Sequence, residues 1–222
     1  IHTKMKNKKW LIILIIAFPS MFWLILESSN INSRKLPYYG EKLLNKNGDT
    51  IYHKVNDFFF EKINGDSTIN LKQKKIDYPL YAIVFINKKY REDSYRLTGL
   101  WEYLNYKKQK IERIPFILVT EYENGKSQAH DELLKLGNHN NIHFFGLESL
   151  DFKFQIKDYF TKKPYYIDYS FFLLIDANRN VRGYYDVRYV SELKRLIEEY
   201  QHLRLKEEKQ KLIDKNEIKI NS

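Results

Sequence analysis

Two continuous apolar runs constrain this chain more than any other feature: YPLYAIVF, from Tyr78 to Phe85, and IPFILV, from Ile114 to Val119. Neither alternates apolar with polar, so neither suits a strand with one wet face. A strand that is apolar at every position is covered on both sides. Between the runs comes a polar NKKYRED, then Leu97, Leu100, Trp101 and Leu104 on one helical face, with Asp93 or Ser94 placed to cap its start. Strand, helix, strand, with both strands wholly apolar, predicts a parallel pair inside a layered α/β domain.

The flanking segments extend that reading. Between Leu36 and Leu71, the turn signals Asn47-Gly48-Asp49 and Asn64-Gly65-Asp66 sit among strand-like residues and predict two small hairpins. After the second core strand come a helix from about Gln128 to Leu136, a short strand over His143 to Phe145, and a helix from Leu150 to Phe160. Phe171 to Ile175 reads as a strand, DANRN as a turn, and Val181 to Tyr185 as the antiparallel return. Leu193, Leu196, Ile197, Tyr200 and Leu203 mark a closing helix; from Lys206 the chain is charged on all sides and reads as a solvated tail. Parallel βαβ units followed by a hairpin and a last helix is the thioredoxin order. The expected fold class is therefore α/β, a central mixed sheet flanked by helices with an N-terminal hairpin extension.

An uncharged stretch, WLIILIIAFPSMFWLIL, runs from Trp10 to Leu26, 17 residues, at the short end of what spans a hydrocarbon core of about 30 Å. Trp10 and Trp23 stand toward its ends, and Lys4, Lys6, Lys8 and Lys9 precede it, the arrangement of an inside N-terminus. The small residues of a cleavage site do not follow Leu26, so an uncleaved anchor is preferred to a signal peptide. The expected organisation is a cytoplasmic tail over 1–9, one transmembrane helix over 10–27, a tether over 28–35, the thioredoxin-like domain over 36–205 and a charged tail over 206–222. The localisation that follows is the inner membrane, single-pass, with the C-terminal domain facing the periplasm.

Composition excludes several function classes. The chain has no cysteine, which rules out disulfides, thiolate nucleophiles, Cys-based zinc sites and thiol redox chemistry. The formal net charge is +10, but the lysines are interleaved with acidic residues, so nucleic acid is not the expected partner. No G-x-S-x-G, phosphate-binding glycine loop or H-E-x-x-H is present. Glu121 and Glu123 on a strand end, and Asp131-Glu132 on a helix, read as solvated charges. His139 and His143 have the H-x-x-x-H spacing, but in GNHNNIHFF they fall in a loop and a strand start, where that spacing does not converge. His130 reads as a surface residue and His53 as structural. The aromatic cluster Tyr165, Tyr166, Tyr169, Phe171 and Phe172 is expected to divide between core and a groove.

Three segments together resemble the Sco/SenC proteins, thioredoxin-fold membrane proteins implicated in copper delivery to cytochrome oxidase. LPYYGEKLLNKNGDTIYHKVNDFFF, Leu36 to Phe60, is the clearest; DYSFFLLIDANRNVRGYYD, Asp168 to Asp186, is the second; His143-Phe144 ahead of a helix is the third. The resemblance covers Leu36 to Leu203 in order, resting on pattern alone between Asn87 and Asn141. The family holds copper by C-x-x-x-C after the first core strand and by a distant histidine. The corresponding positions here are Lys89, Asp93 and Tyr169, and the family's Asp-Pro-Glu-like segment is replaced by TEYENGKS from Thr120. Copper(I) prefers thiolate, thioether or imidazole donors, so no cofactor or metal is expected.

The absence of cysteine points to a non-enzymatic, non-redox binding or assembly factor, and the resemblance implies that its partners are the membrane and envelope proteins of respiratory oxidase assembly. Two alternatives stand beside it. Copper or another metal could be held through non-cysteine ligands, with Lys89, Asp93 and Tyr169 and water binding a hard cation weakly, or the lysines could bind acidic partners as a membrane-tethered basic module.

Overall fold

In the computed structural model the chain divides into two units, Ile1–Lys35 and Leu36–Ser222. The structure describes residues 36–56, 59–63, 69–86, 97, 100, 111, 113–123, 126–127, 140–168 and 171–220, together with 18 and 21 in the first unit. Phe18 and Met21 are both helical. The rest of the Trp10 to Leu26 stretch, the expected helix over Gln128 to Leu136, His130, His139 and the Asn64-Gly65-Asp66 turn lie outside the described residues. Among the described residues no helix is long and apolar enough to cross a membrane.

The two apolar runs form β5 (Tyr81–Ile86) and β6 (Phe116–Glu123), paired in parallel from Ala82↔Phe116 to Ile86↔Thr120. All six residues of β5 are buried. On one face Val84, Leu118 and Leu174 pack with Leu97, Leu100, Leu193 and Leu196. On the other, Ile83, Phe85, Ile117 and Leu173 pack with Phe152 and Tyr159. Alternate residues of the same strands thus feed two separate cores, which is why neither strand could carry a polar alternation. Each such aliphatic or aromatic side chain contributes about 1.5–3 kcal/mol on burial.

β8 (Ile142–Glu148) lies parallel to β6 on its far side. Asn141 tightens the approach to it, its side-chain amide donating to the carbonyls of Ile111 and Ile114 at 2.9 and 3.0 Å. β9 (Phe172–Ile175) runs antiparallel to β5, and β10 (Val181–Tyr185) antiparallel to β9. Among the described residues the main sheet has eight strands in the order β10-β9-β5-β6-β8-β3-β4, where β3 is Phe59–Ile63 and β4 is Ile69–Lys75, with β7 (Lys126–Ser127) hairpinned onto β6. Its inner part, β10-β9-β5-β6 with β9 reversed, is the thioredoxin-like arrangement, and the mixed sheet is the one expected. Helix α1 (Ser149–Tyr159) follows β8, and α2 (Val190–Ile220) closes the domain.

The N-terminal hairpins have separate fates. β1 (Lys42–Leu44) and β2 (Thr50–Tyr52) form a ribbon of their own. Its turn is closed by Asn45, whose side-chain oxygen accepts the N–H groups of Asn47 and Asp49 at 2.9 and 2.8 Å, with Gly48 at φ 84°. The other pair, β3 (Phe59–Ile63) and β4 (Ile69–Lys75), is part of the main sheet, because Glu61 and Lys62 pair with Gly146 and Phe145 of β8.

α2 crosses the expected boundary at 205/206 and continues without a break to Ile220, with Leu203 the last buried residue among those whose burial is described. Charge on every side does not stop a helix: Lys, Glu and Gln are good helix formers, and Arg204–Glu208 and Gln210–Asp214 pair at i,i+4. The solvation expected for this segment holds, its residues from 205 to 214 being almost all exposed.

Candidate functional site

β5, β6 and β8 run in one direction and end at Ile86, Glu123 and Glu148. In open α/β sheets ligands are taken beyond such carboxyl ends, where the strands stop and the loops begin. The register Tyr81↔Ile175 to Ile83↔Leu173 brings the start of β9 to this same end. Lys89 and Asp93 follow Ile86 in the chain, and Tyr169 stands between Asp168 and Phe171. All three lie outside the described residues. The described residues next to them, Ile86 on one side and Asp168 and Phe171 on the other, belong to this end of the sheet.

The chemistry described there is that of compensated charge. Arg188 donates from Nε to both carboxylate oxygens of Asp186, at 2.8 and 2.9 Å, and from Nη2 to Oδ2. These bonds hold the guanidinium more firmly charged than usual, and the nearby Asp168 carboxylate adds to the effect. Tyr189 stands with its ring 5.8 Å from the guanidinium carbon. Thr120, near the end of β6, is buried. A carboxylate engaged by an arginine on both oxygens is held in a fixed, charge-assisted geometry.

The histidines sit elsewhere. His143 is the second residue of β8, at the opposite end of the sheet, where its Nε2 is 2.8 Å from the Tyr78 hydroxyl and the two rings stack. His143 is in a strand, so the helical geometry that makes an H-x-x-x-H pair converge does not apply to it. His53 pairs with Asp158 at the end of α1, Nε2 to Oδ1 3.2 Å, while Asp158 Oδ2 accepts the Asn56 N–H at 2.7 Å. It is a structural clamp, as the sequence suggested. Among the described residues no group of three or more His, Asp or Glu is arranged to hold a metal ion. Lys89, Asp93 and Tyr169 offer an ammonium, a hard carboxylate and a phenol, a donor set that does not fit copper(I).

The expected aromatic cluster divides between core and surface, with Tyr169 outside the described residues. Phe171 and Phe172 are core, whereas Tyr165 and Tyr166 are exposed and meet edge to face at 5.6 Å. An open groove of about 290 Å³ does occur, but at the amino end of β5, between Ile76–Tyr81 and the β9–β10 turn at Asp176, Ala177 and Arg179. The Asp176 carboxylate there is fully engaged. It accepts the N–H groups of Asn178 and Asn180, the Asn180 amide, and Arg182 Nη1 at 2.9 Å.

Sequence reading missed that last cluster. Arg182 also donates to the carbonyls of Leu36 and Pro37 at 2.8 and 3.0 Å, and its guanidinium stacks on Tyr38 at 3.9 Å. It therefore fastens the start of the domain to β10. The available signal was a charged residue inside the apolar strand VRGYY, since buried arginine requires a partner.

No family model matches the chain, and no curated protein matches it. Several of the solved structures it is similar to are Sco/SenC proteins. A SCO1/SenC family lipoprotein from Bacillus anthracis is 14% identical, over 77% of this chain and 98% of that one, with a TM-score of 0.45. Yeast Sco1 with copper bound is 18% identical, over 66% of this chain and 92% of that one, with a TM-score of 0.40. The thioredoxin domain of a thiol-disulfide oxidoreductase from Bacteroides vulgatus is 12% identical, over 64% and 93%, with a TM-score of 0.39. The fold assignment stands on strand order and direction in the sheet itself.

Proposed function

We propose that this protein is a non-redox, non-enzymatic binding or assembly factor of the cell envelope. Its N-terminal segment anchors it in the inner membrane, and its thioredoxin-like domain works on the periplasmic side with proteins of respiratory oxidase assembly. One observation carries the reading: a thioredoxin-like sheet packed on both faces belongs to a chain without cysteine. The scaffold is kept while the chemistry usually mounted on it has no thiol to use. The resemblance of Leu36 to Phe60 and Asp168 to Asp186 to Sco/SenC proteins supports the place in oxidase assembly. The uncharged Trp10 to Leu26 stretch with four lysines before it supports the anchor and its orientation.

Copper loading tests the reading directly. The purified protein is exposed to copper(I) and copper(II), passed over a desalting column and assayed for metal by elemental analysis. Retention well below one copper per chain is expected. One tightly held copper per chain would overturn the non-metal reading and restore delivery as the function. Affinity capture from detergent-solubilised membranes, probed for oxidase subunits, tests the partner class.

A further inference from the structure

We infer that the β1–β2 hairpin and the adjoining Tyr165–Tyr166 loop form a surface that rests on an anionic phospholipid bilayer. The hairpin is a free ribbon, not part of the main sheet. It nevertheless presents Leu43 at 61% exposure, Leu44 at 75% and Ile51 at 50%. Leu43 and Ile51 are cross-strand partners on one face, and Leu44, the next residue, points to the other. A short ribbon with large aliphatic side chains exposed on both faces gains nothing from water.

The loop is held beside it. Glu41, just before β1, forms a 3.0 Å ion pair with Lys162, and His53, just after β2, is clamped to Asp158. Tyr165, 97% exposed, and Tyr166 follow within four residues of that ion pair. The ensemble therefore mixes aliphatic side chains with amphipathic tyrosines, the residues that favour a lipid interface.

Charge selects the occupant. Lys42, Lys46 and Lys54 are exposed on the same ribbon. Of its acidic neighbours, Glu41 is neutralised by Lys162 and Asp49 is held by the Asn45 amide at 2.9 Å. Basic residues around protruding apolar ones match anionic headgroups over acyl chains. The aliphatic side chains are exposed on both faces of the ribbon among basic residues, which suits a lipid interface better than a peptide ligand.

This surface rests on the anchoring reading above, since residues 27–35 extend to at most about 30 Å and keep Leu36 near the membrane. The test separates the two. With no cysteine in the chain, Leu44→Cys and Glu198→Cys each give a single site for a fluorophore, the second on the outer face of α2. Each full-length labelled protein is reconstituted into phosphatidylcholine–phosphatidylglycerol vesicles doped with nitroxide lipid. Flotation after carbonate washing reads the anchor, and quenching reads the surface. Quenching at position 44 and none at 198, reduced in vesicles of phosphatidylcholine alone, is expected. Carbonate-resistant flotation with position 44 unquenched overturns the surface, leaves the anchor standing and is the outcome for a face that meets protein instead. Quenching at 44 with flotation lost to carbonate supports the surface and overturns the anchor. No flotation overturns both.

Discussion

Tyr185 lays its ring back along its own strand over Gly183, so closely that a Cβ on the glycine would fall within the phenol. The hydroxyl at the end of that ring donates to Glu199 on α2, and Arg195 of the same helix stacks on the ring at 4.6 Å. The missing side chain at 183 is thus what lets α2 be tied to β10. Gly183→Ala should cost about 1–3 kcal/mol through overpacking. In a Tyr185→Leu background the same substitution should cost markedly less, and urea unfolding of the four proteins measures the coupling.

Arg182 and Asp176 form a buried ion pair, with side chains 6% and 5% exposed. Arg182→Met would strand the carboxylate and release the carbonyls of Leu36 and Pro37. A loss of about 3–5 kcal/mol is expected. Adding Asp176→Asn to that variant should recover part of it. A single variant as stable as the parent in thermal and chemical unfolding would contradict the clamp.

Gln155 faces inward from α1 between Phe152 and Tyr159, fully buried, with neither amide atom hydrogen-bonded. Burying a polar amide without a partner is costly, so Gln155→Met, close in volume, should raise stability by about 1–2 kcal/mol. The midpoint of urea unfolding reads it.

Burial pushes the Tyr81 phenol up to about 12 and raises Tyr159, Tyr184 and Tyr185 as well. Their folded values lie above the unfolded value near 10. The stability they contribute is therefore intact below pH 10 and lost as pH rises through the folded values. Absorbance at 295 nm should show a late group of tyrosines ionising only as the protein unfolds.

Glu207 is raised from its ordinary value, chiefly by burial, although it accepts the Ala177 N–H at 3.3 Å. The folded state then binds a proton more tightly than the unfolded one, and stability falls as pH rises above the ordinary carboxylate value. Glu207→Gln should flatten that part of the pH–stability curve and leave the remainder unchanged.

The parallel β5–β6 pair was legible because burial on two faces forces unbroken apolar sequence, and the β9–β10 hairpin because the turn DANRN sits between the strand-like runs FFLLI and VRGYY. The union of β3 with β8 was not, since pairing Glu61 with Gly146 joins residues far apart in sequence and leaves no local pattern. The full length of α2 was missed for a related reason. Past Leu203 its charged residues carry helix propensity but no apolar period. At the site, the resemblance marked Lys89, Asp93 and Tyr169, and the topology brings the neighbouring described residues to one end of the sheet. The Asp186–Arg188 pair at that end was hidden because two charges two residues apart read as ordinary surface.

Because α2 runs 13 residues past Glu207, which still holds the Ala177 N–H, it extends about 20 Å further along its axis. Anything joined beyond Ile220 is therefore carried at a distance from the sheet. That makes the C-terminal side the natural handle for immobilising or labelling this protein without covering the carboxyl end of β5.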